Sequence, residues 1–297
     1  MDENTSNSGA VTVSRGISPT QMAFRRLRKN RLAGFAFLMI LFFIFLAVFA
    51  PYLTPHERDR VNLLARYRPP NEINRLGTDE VGRDVLTRLI YGTRASMLVG
   101  LGATSLSIFI GVSLGALSGY FGGIIDNAVM RVVDIFMCFP FFLMAIVIAS
   151  IMGPSIWTVV FVSGILGWPG LARMIRAEVL SLKNREFVEA SRALGLPSHS
   201  IIISHILPNI VSIVVVNATL GIAGGILGEA GLSYLGLGVR PPEPSWGNML
   251  SAAQSMVALQ FYPWVWIPPG IMVLLAVLSI NIFGDALRDA LDPKQKV

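Results

Sequence analysis

Polarity along the chain alternates between long uncharged runs and shorter polar segments. From Leu32 to Pro51 no residue is charged. Twenty helical residues span roughly 30 Å, the hydrocarbon thickness of a bilayer. A secretory signal peptide is the competing reading, but its apolar region is usually about 7–15 residues, and this run is longer and starts late. Further uncharged stretches cover Ala95 to Ile125, Ile135 to Ala172, Ile206 to Gly228 and the region around Trp264 to Gly284. The run from Ile135 is too long for one span, and Gly153-Pro154-Ser155 divides it. The pattern therefore predicts an all-α membrane protein with six transmembrane helices. Their expected positions are 32–51, 97–118, 132–152, 155–172, 206–228 and 264–284.

The polar segments complete the organisation. Residues 1–31 form an N-terminal tail, rich in Ser, Thr, Asn and Gly over its first twenty positions and ending in the basic cluster Arg25, Arg26, Arg28, Lys29 and Arg31. The low hydrophobicity of its start predicts disorder. Segment 52–94 is a long loop with eight Arg residues and six acids. Within it Val81, Val85, Leu86, Leu89 and Ile90 fall on one helical face, with Thr78 as the expected N-cap and Asp84 placed to pair with Arg88. Either an interfacial helix leading into the next span or a small soluble cap fits these residues. The core runs from 95 to 286 and includes a polar loop over 173–205. In segment 229–262, Pro241, Pro242 and Pro244 rule out a continuous helix. Phe261, Tyr262, Trp264 and Trp266 form an aromatic group at the start of the last span, where an interface belt belongs. A short tail over 287–297 closes the chain.

Six spans place both termini on one side. With the N-terminus inside, the inside segments hold 15 Lys and Arg residues and the outside segments nine. Positive residues favour the cytoplasmic side, so both termini are expected in the cytoplasm and segment 52–94 outside.

Composition agrees with lipid as the solvent. Hydrophobic residues make up 53% of the chain and charged residues 14%; mean hydropathy is +0.62. A soluble surface needs about a quarter charged residues. The net charge of +6 accompanies basic clusters beside apolar runs, which favours a membrane over nucleic acid. Cys138, the one cysteine, is expected to pack in its apolar run, and His56, His199 and His205 are too dispersed for a metal site.

Enzyme chemistry finds no foothold. The sequence contains no GxxxxGK[ST] phosphate loop, HExxH or CxxC, so if transport here is ATP-driven the ATPase is another chain. Arg131 and Asp134 are spaced to pair with each other. Glu229, just past the fifth expected span, is either a wall of a translocation path or a structural hydrogen-bond anchor.

The loop 173–205 is the most informative segment. Phe187, Ala190, Ser191 and Leu194 recur at helical spacing, Gly195 is placed to end that helix in the left-handed region, and Pro197 or Ser198 can start a second helix toward Leu207 and Pro208. Two short helices meeting at a glycine bend suit docking into a partner's groove. An amphipathic loop resting on the membrane is the plainer alternative.

These residues resemble the EAA motif of binding-protein-dependent ABC importer permeases, E-A-A-x3-G-x9-I-x-L-P. Glu189, Ala190, Gly195, Leu207 and Pro208 match; Ser191 replaces the second alanine and His205 the isoleucine. The run from Leu76 to Gly92 resembles the outer loop of C-type subunits of dipeptide and oligopeptide permeases. So do Gly119 to Gly123 with Asp126, Met130 and Arg131; Leu235 to Gly238; Pro244 to Gly247; and the tail from Gly284 through Leu287 to Pro293. The resemblance covers nearly the whole chain from about residue 25 and points to the peptide/nickel subfamily.

It implies a type I ABC importer permease fold in the bacterial inner membrane. The implied partners are a homologous B-type permease, two cytoplasmic ATPases carrying ATP and Mg, and an external peptide-binding protein. The loop bearing Glu189, Ala190, Ser191, Gly195, Leu207 and Pro208 would be the ATPase-coupling element. Cargo would be dipeptides or oligopeptides, with nickel, glutathione or another small solute as the alternative; a non-transport membrane scaffold or receptor is the alternative from another class.

Overall fold

The computed structural model describes Leu27 and residues 29–54 and 56–291. The expected disordered start, Arg25, Arg26 and Arg28 of the basic cluster, and the chain beyond 291 lie outside the described residues. Within them the chain is helical and has no strand.

Helix α1 spans Arg31–Leu53 and is capped by the Asn30 side chain, which accepts from the Ala33 N–H at 3.2 Å. Ala33, Ala36, Phe43, Leu46 and Ala50 form a buried stripe at helical spacing, while Leu32, Phe35, Leu38 and Val48 face outward. Outward apolar side chains are what lipid selects.

Residues 56–84 fold as a compact cap on one end of the bundle, and the helix begins only at Val85. Asp79 explains why. Its carboxylate accepts from the Val81 and Arg83 N–H groups at 3.0 and 2.9 Å, and Gly82 takes φ +79°, so the backbone is held in a turn where the apolar stripe alone suggests a helix. Thr78 is not the N-cap. It is buried, with its hydroxyl accepting from Arg68 N–H and donating to the Ala65 carbonyl. Asp84 caps instead, accepting from Thr87 N–H at 2.8 Å. That role and a bond from Asn74 occupy Asp84, so Arg88 pairs with Asp79 at 3.5 Å rather than with Asp84. Stacking of Tyr67 on Tyr262 and donation from Trp264 Nε1 to the Thr78 carbonyl fasten the cap to the start of the last helix.

Helix α2, Val85–Phe121, is a single rod of 37 residues, roughly 55 Å long. It is the central strut. Helix α5, Ile156–Leu182, lies along it. At Gly115 a Cβ would come within 2.6 Å of the Ala172 carbonyl oxygen, and at Gly119 within 2.8 Å of that of Arg176. The spacing Gly111, Gly115, Gly119 is the small-xxx-small pattern by which helix backbones approach in membranes.

The third expected span, 132–152, is not continuous. Helix α3, Gly123–Met137, and helix α4, Phe141–Met152, meet at an 87° bend. Pro140 lacks an N–H and disfavours helical backbone before it, which stops α3. Cys138 is exposed at this joint instead of packed. Arg131 and Asp134 do not pair with each other. Asp134 meets Arg173 of α5 at 2.6 Å, and Asp126 takes the Arg176 guanidinium in a two-pronged contact. These pairs hold α3 across α5, with Val133 buried against Trp168 and Ala172. They also correct the loop expected over 173–205. Arg173 and Arg176 are helical, so α5 continues to Leu182 instead of ending near 172.

Helix α6 is Glu186–Ala193. Helix α7, Ser198–Tyr234, follows with a π turn at Ile202–Ile206. Segment 235–262 holds the short helices α8, Trp246–Leu250, and α9, Met256–Phe261; α10, Pro263–Leu291, completes the bundle.

Candidate functional site

The end of the bundle opposite the cap carries the element singled out by the sequence. Helix α6 is amphipathic and lies across the ends of α2, α5 and α7. Val188 is fully buried in a cluster with Tyr120, Val179, Leu182, Ile201 and Ile206. Ser191 is also buried, its hydroxyl donating to the Phe187 carbonyl at 2.8 Å. The expected stripe therefore divides. Ser191 turns inward with Val188, while Phe187, Ala190 and Leu194 stay exposed, as does Glu189.

Gly195 ends α6 at φ +76°. Its N–H donates to the Arg192 carbonyl at 2.9 Å, and the Leu196 N–H donates to the Ser191 carbonyl at 3.2 Å. This is the Schellman arrangement, which satisfies the last carbonyls and turns the chain. Pro197 then precedes the first turn of α7. Leu207 is half-buried and Pro208 exposed. The π turn falls immediately before Pro208, where the Leu207 N–H reaches back to the Ile202 carbonyl; the wider turn relieves the crowding that a proline ring imposes on the preceding helix. His205 sits in this turn, half-buried, with Nδ1 making no hydrogen bond. It thus stands at the hinge behind α6 and not on its exposed face.

The structure leaves Glu189, Ala190 and Gly195 exposed, with Leu194 at 82% exposure. Ser191 is buried, and Leu207 and Pro208 follow on α7, the first half-buried and the second exposed. Arg192 adds a tether that sequence reasoning missed, its guanidinium carbon 5.2 Å from the centre of the Tyr120 ring.

A second feature lies between α2, α5 and α7. A cavity of about 590 Å³ is lined by Thr104, Ser107, Ser163, Gly167, Asn217 and Gly221 among others. Ser163 Oγ is buried and makes no hydrogen bond within the chain. A further cavity of about 350 Å³ shares Met174, Asn217 and Leu220 with it and reaches Arg288. The two cavities thus adjoin along a wall of small, hydroxyl and amide side chains. The sequence contained a signal for it in the closely spaced Gly221, Gly224, Gly225 and Gly228 of α7, which mark where side-chain bulk is withheld.

Glu229 does not lie past the fifth span. It is inside α7 and fully buried, bonded to Ser96 and Ser233. Of the two readings of this residue, the structural anchor is the one observed.

Comparison with known proteins follows the same lines. Residues 111–297 match the model of the binding-protein-dependent transport system inner membrane component, and residues 18–70 match that of the N-terminal transmembrane domain of oligopeptide transport permease C. The chain is 41% identical to the dipeptide transport system permease protein of Alkalihalophilus pseudofirmus, over 94% of this chain and 91% of that protein. It is 44% identical to a putative peptide permease protein of Brucella suis, over 94% and 92%. It is 39% identical to the oligopeptide transport system permease protein of Bacillus subtilis, over 92% and 88%. Among solved structures, a chain of the MetNI methionine ABC transporter in an inward-facing conformation superposes with a TM-score of 0.57 at 19% identity, covering 69% of this chain and 96% of that one.

Proposed function

The chain belongs to the binding-protein-dependent transport permeases, the inner-membrane components of ABC importers, and we propose that it is the C-type subunit of a peptide importer, driven through α6 by partner ATPases. The observation that carries the coupling role is the form of α6. One face packs into the core cluster of the long helices through Val188, with Ser191 buried beside it, and the other leaves Phe187, Ala190 and Leu194 exposed. A helix held this way transmits a push as a rigid body, because packed interiors resist compression.

In this reading both termini and α6 are cytoplasmic, and the 54–84 cap is external. A homologous B-type permease stands beside this chain, two ATPases that bind ATP and Mg seat α6, and an external binding protein delivers the cargo. Closure of the ATPases moves α6, and with it the inner ends of α2, α5 and α7 around the cavity. ATP state and cavity state are then coupled through their differential stability in two conformations.

Dipeptides and oligopeptides are the cargo class best supported, since the curated relatives that match over most of the chain carry peptide names. The hydroxyl and amide groups of Thr104, Ser107, Ser163 and Asn217 suit a cargo whose backbone presents hydrogen-bonding groups whatever its side chains. The test is ATPase stimulation of the reconstituted transporter by its loaded binding protein. Di- or oligopeptides stimulate; stimulation by nickel or glutathione alone rejects the peptide reading while leaving the importer reading intact.

A further inference from the structure

At one end of the cavity between α2, α5 and α7 the two helices α2 and α7 close on each other, and one buried carboxylate ties together the elements at that end. Glu229 Oε2 accepts from Ser96 Oγ of α2 at 2.9 Å, and Oε1 accepts from Ser233 Oγ at 2.7 Å. Each hydroxyl passes the connection on. Ser96 Oγ accepts from the Trp246 N–H at 3.3 Å, and Ser233 Oγ accepts from the Val239 N–H at 3.0 Å. One side chain therefore fixes α2, α7 and two separate points of segment 235–255.

That segment folds back into the bundle. Trp246 is fully buried, donates from Nε1 to the Leu89 carbonyl at 3.2 Å and meets Phe43 edge-on. Gly247 is so close to α7 that a Cβ there would lie 2.6 Å from Ala230 Cα. Irregular backbone at this depth persists only when its polar groups are satisfied inside the protein. One helical turn inward of Glu229, α2 and α7 touch at Gly100 and Gly225, where a Cβ on Gly225 would lie 3.0 Å from Gly100 Cα. The cavity begins at this contact: Gly225 lines it, as do Thr104 and Gly221 one turn further.

We infer that Glu229 is the positioning residue of the outer seal: through Ser96 and Ser233 it keeps the re-entrant segment docked and the external end of the cavity shut. A carboxylate suits the task because it accepts from several donors at once, and a buried hydroxyl or N–H left without its acceptor is costly. The inference rests on the transport reading and on the external placement of segment 235–262.

The test uses the whole transporter, produced in cells without its binding protein, with Cys138→Ser and Thr104→Cys as a single reporter. A membrane-impermeant maleimide is applied to intact cells and, separately, to inverted membrane vesicles. The parent labels in inverted vesicles and is protected in cells. Glu229→Ala raises external labelling severalfold, whereas Glu229→Gln, which keeps length and one acceptor oxygen, remains near the parent. If Glu229→Ala does not reach the membrane, Ser96→Ala carries the test, because it cuts one relay and leaves the carboxylate in place; it too raises external labelling. Unchanged protection of Thr104→Cys in an inserted Glu229→Ala or Ser96→Ala variant overturns the seal. A parent labelled only from outside overturns the orientation on which the seal depends.

Discussion

Arg192, on helix α6, lies over the ring of Tyr120 near the C-terminal end of α2, with its guanidinium carbon 5.2 Å from the ring centre. The contact joins the proposed coupling helix to the long central helix of the bundle. Cation–π pairs are worth about 0.5–2 kcal/mol, depending on how dry they are. Tyr120→Leu, which keeps bulk but removes the π face, is expected to leave insertion and partner assembly unchanged. Substrate-stimulated ATPase falls severalfold relative to basal ATPase, as measured on the reconstituted transporter.

The bend at Gly195 gives a sharper test. At φ +76° an alanine costs about 1 kcal/mol. A proline fixes φ near −65° and also removes the N–H that donates to the Arg192 carbonyl. Gly195→Ala is expected to transport at a reduced rate. Gly195→Pro should insert normally and transport nothing, with peptide uptake in cells as the readout; normal uptake by the proline variant would show that this bend does not couple.

Packing between α2 and α5 predicts a stability change far from any site. A side chain at Gly115 meets the Ala172 carbonyl oxygen at 2.6 Å and Ile175 Cβ at 2.8 Å. Neither is the free end of a flexible chain, so the helices must separate. Gly115→Val is expected to cost about 1–3 kcal/mol, the usual range for overpacking. Thermal unfolding of the detergent-purified protein, followed by size exclusion, should shift downward, and a shift no larger than that of Gly34→Val, where a Cβ meets nothing within 4 Å, contradicts the packing account.

Much of this architecture is legible in the sequence. The uncharged runs locate the membrane helices because charge is so costly in hydrocarbon, and Gly195 followed by Pro197 announces the turn between α6 and α7 through backbone conformation alone. What escapes is whatever depends on a distant partner. Pro140 lies inside an uncharged run that reads as two continuous spans, so the α3–α4 bend leaves no trace in hydropathy. Arg173 and Arg176 look like the start of a polar loop, yet they remain helical because Asp134 and Asp126 on α3 pair with them. The 81–90 stripe is helical from Val85 onward, but local capture of two N–H groups by Asp79 keeps its first residues in a turn. Glu229 and its partner Ser96 are 133 positions apart, beyond the reach of any local pattern. The cavity is foreshadowed only by closely spaced glycines, since composition tells where bulk is missing and not which helix faces the gap.

The central claim is that the exposed face of α6 seats the ATPases. Ala190 lies on that face, and a long charged side chain there points away from the bundle, so its effect on folding is small. The most direct measurement is affinity purification of the Ala190→Arg variant from cells producing every subunit. The account predicts that the partner permease still co-purifies while the ATPase subunits are lost. Retention of the ATPases at the parent stoichiometry would contradict it.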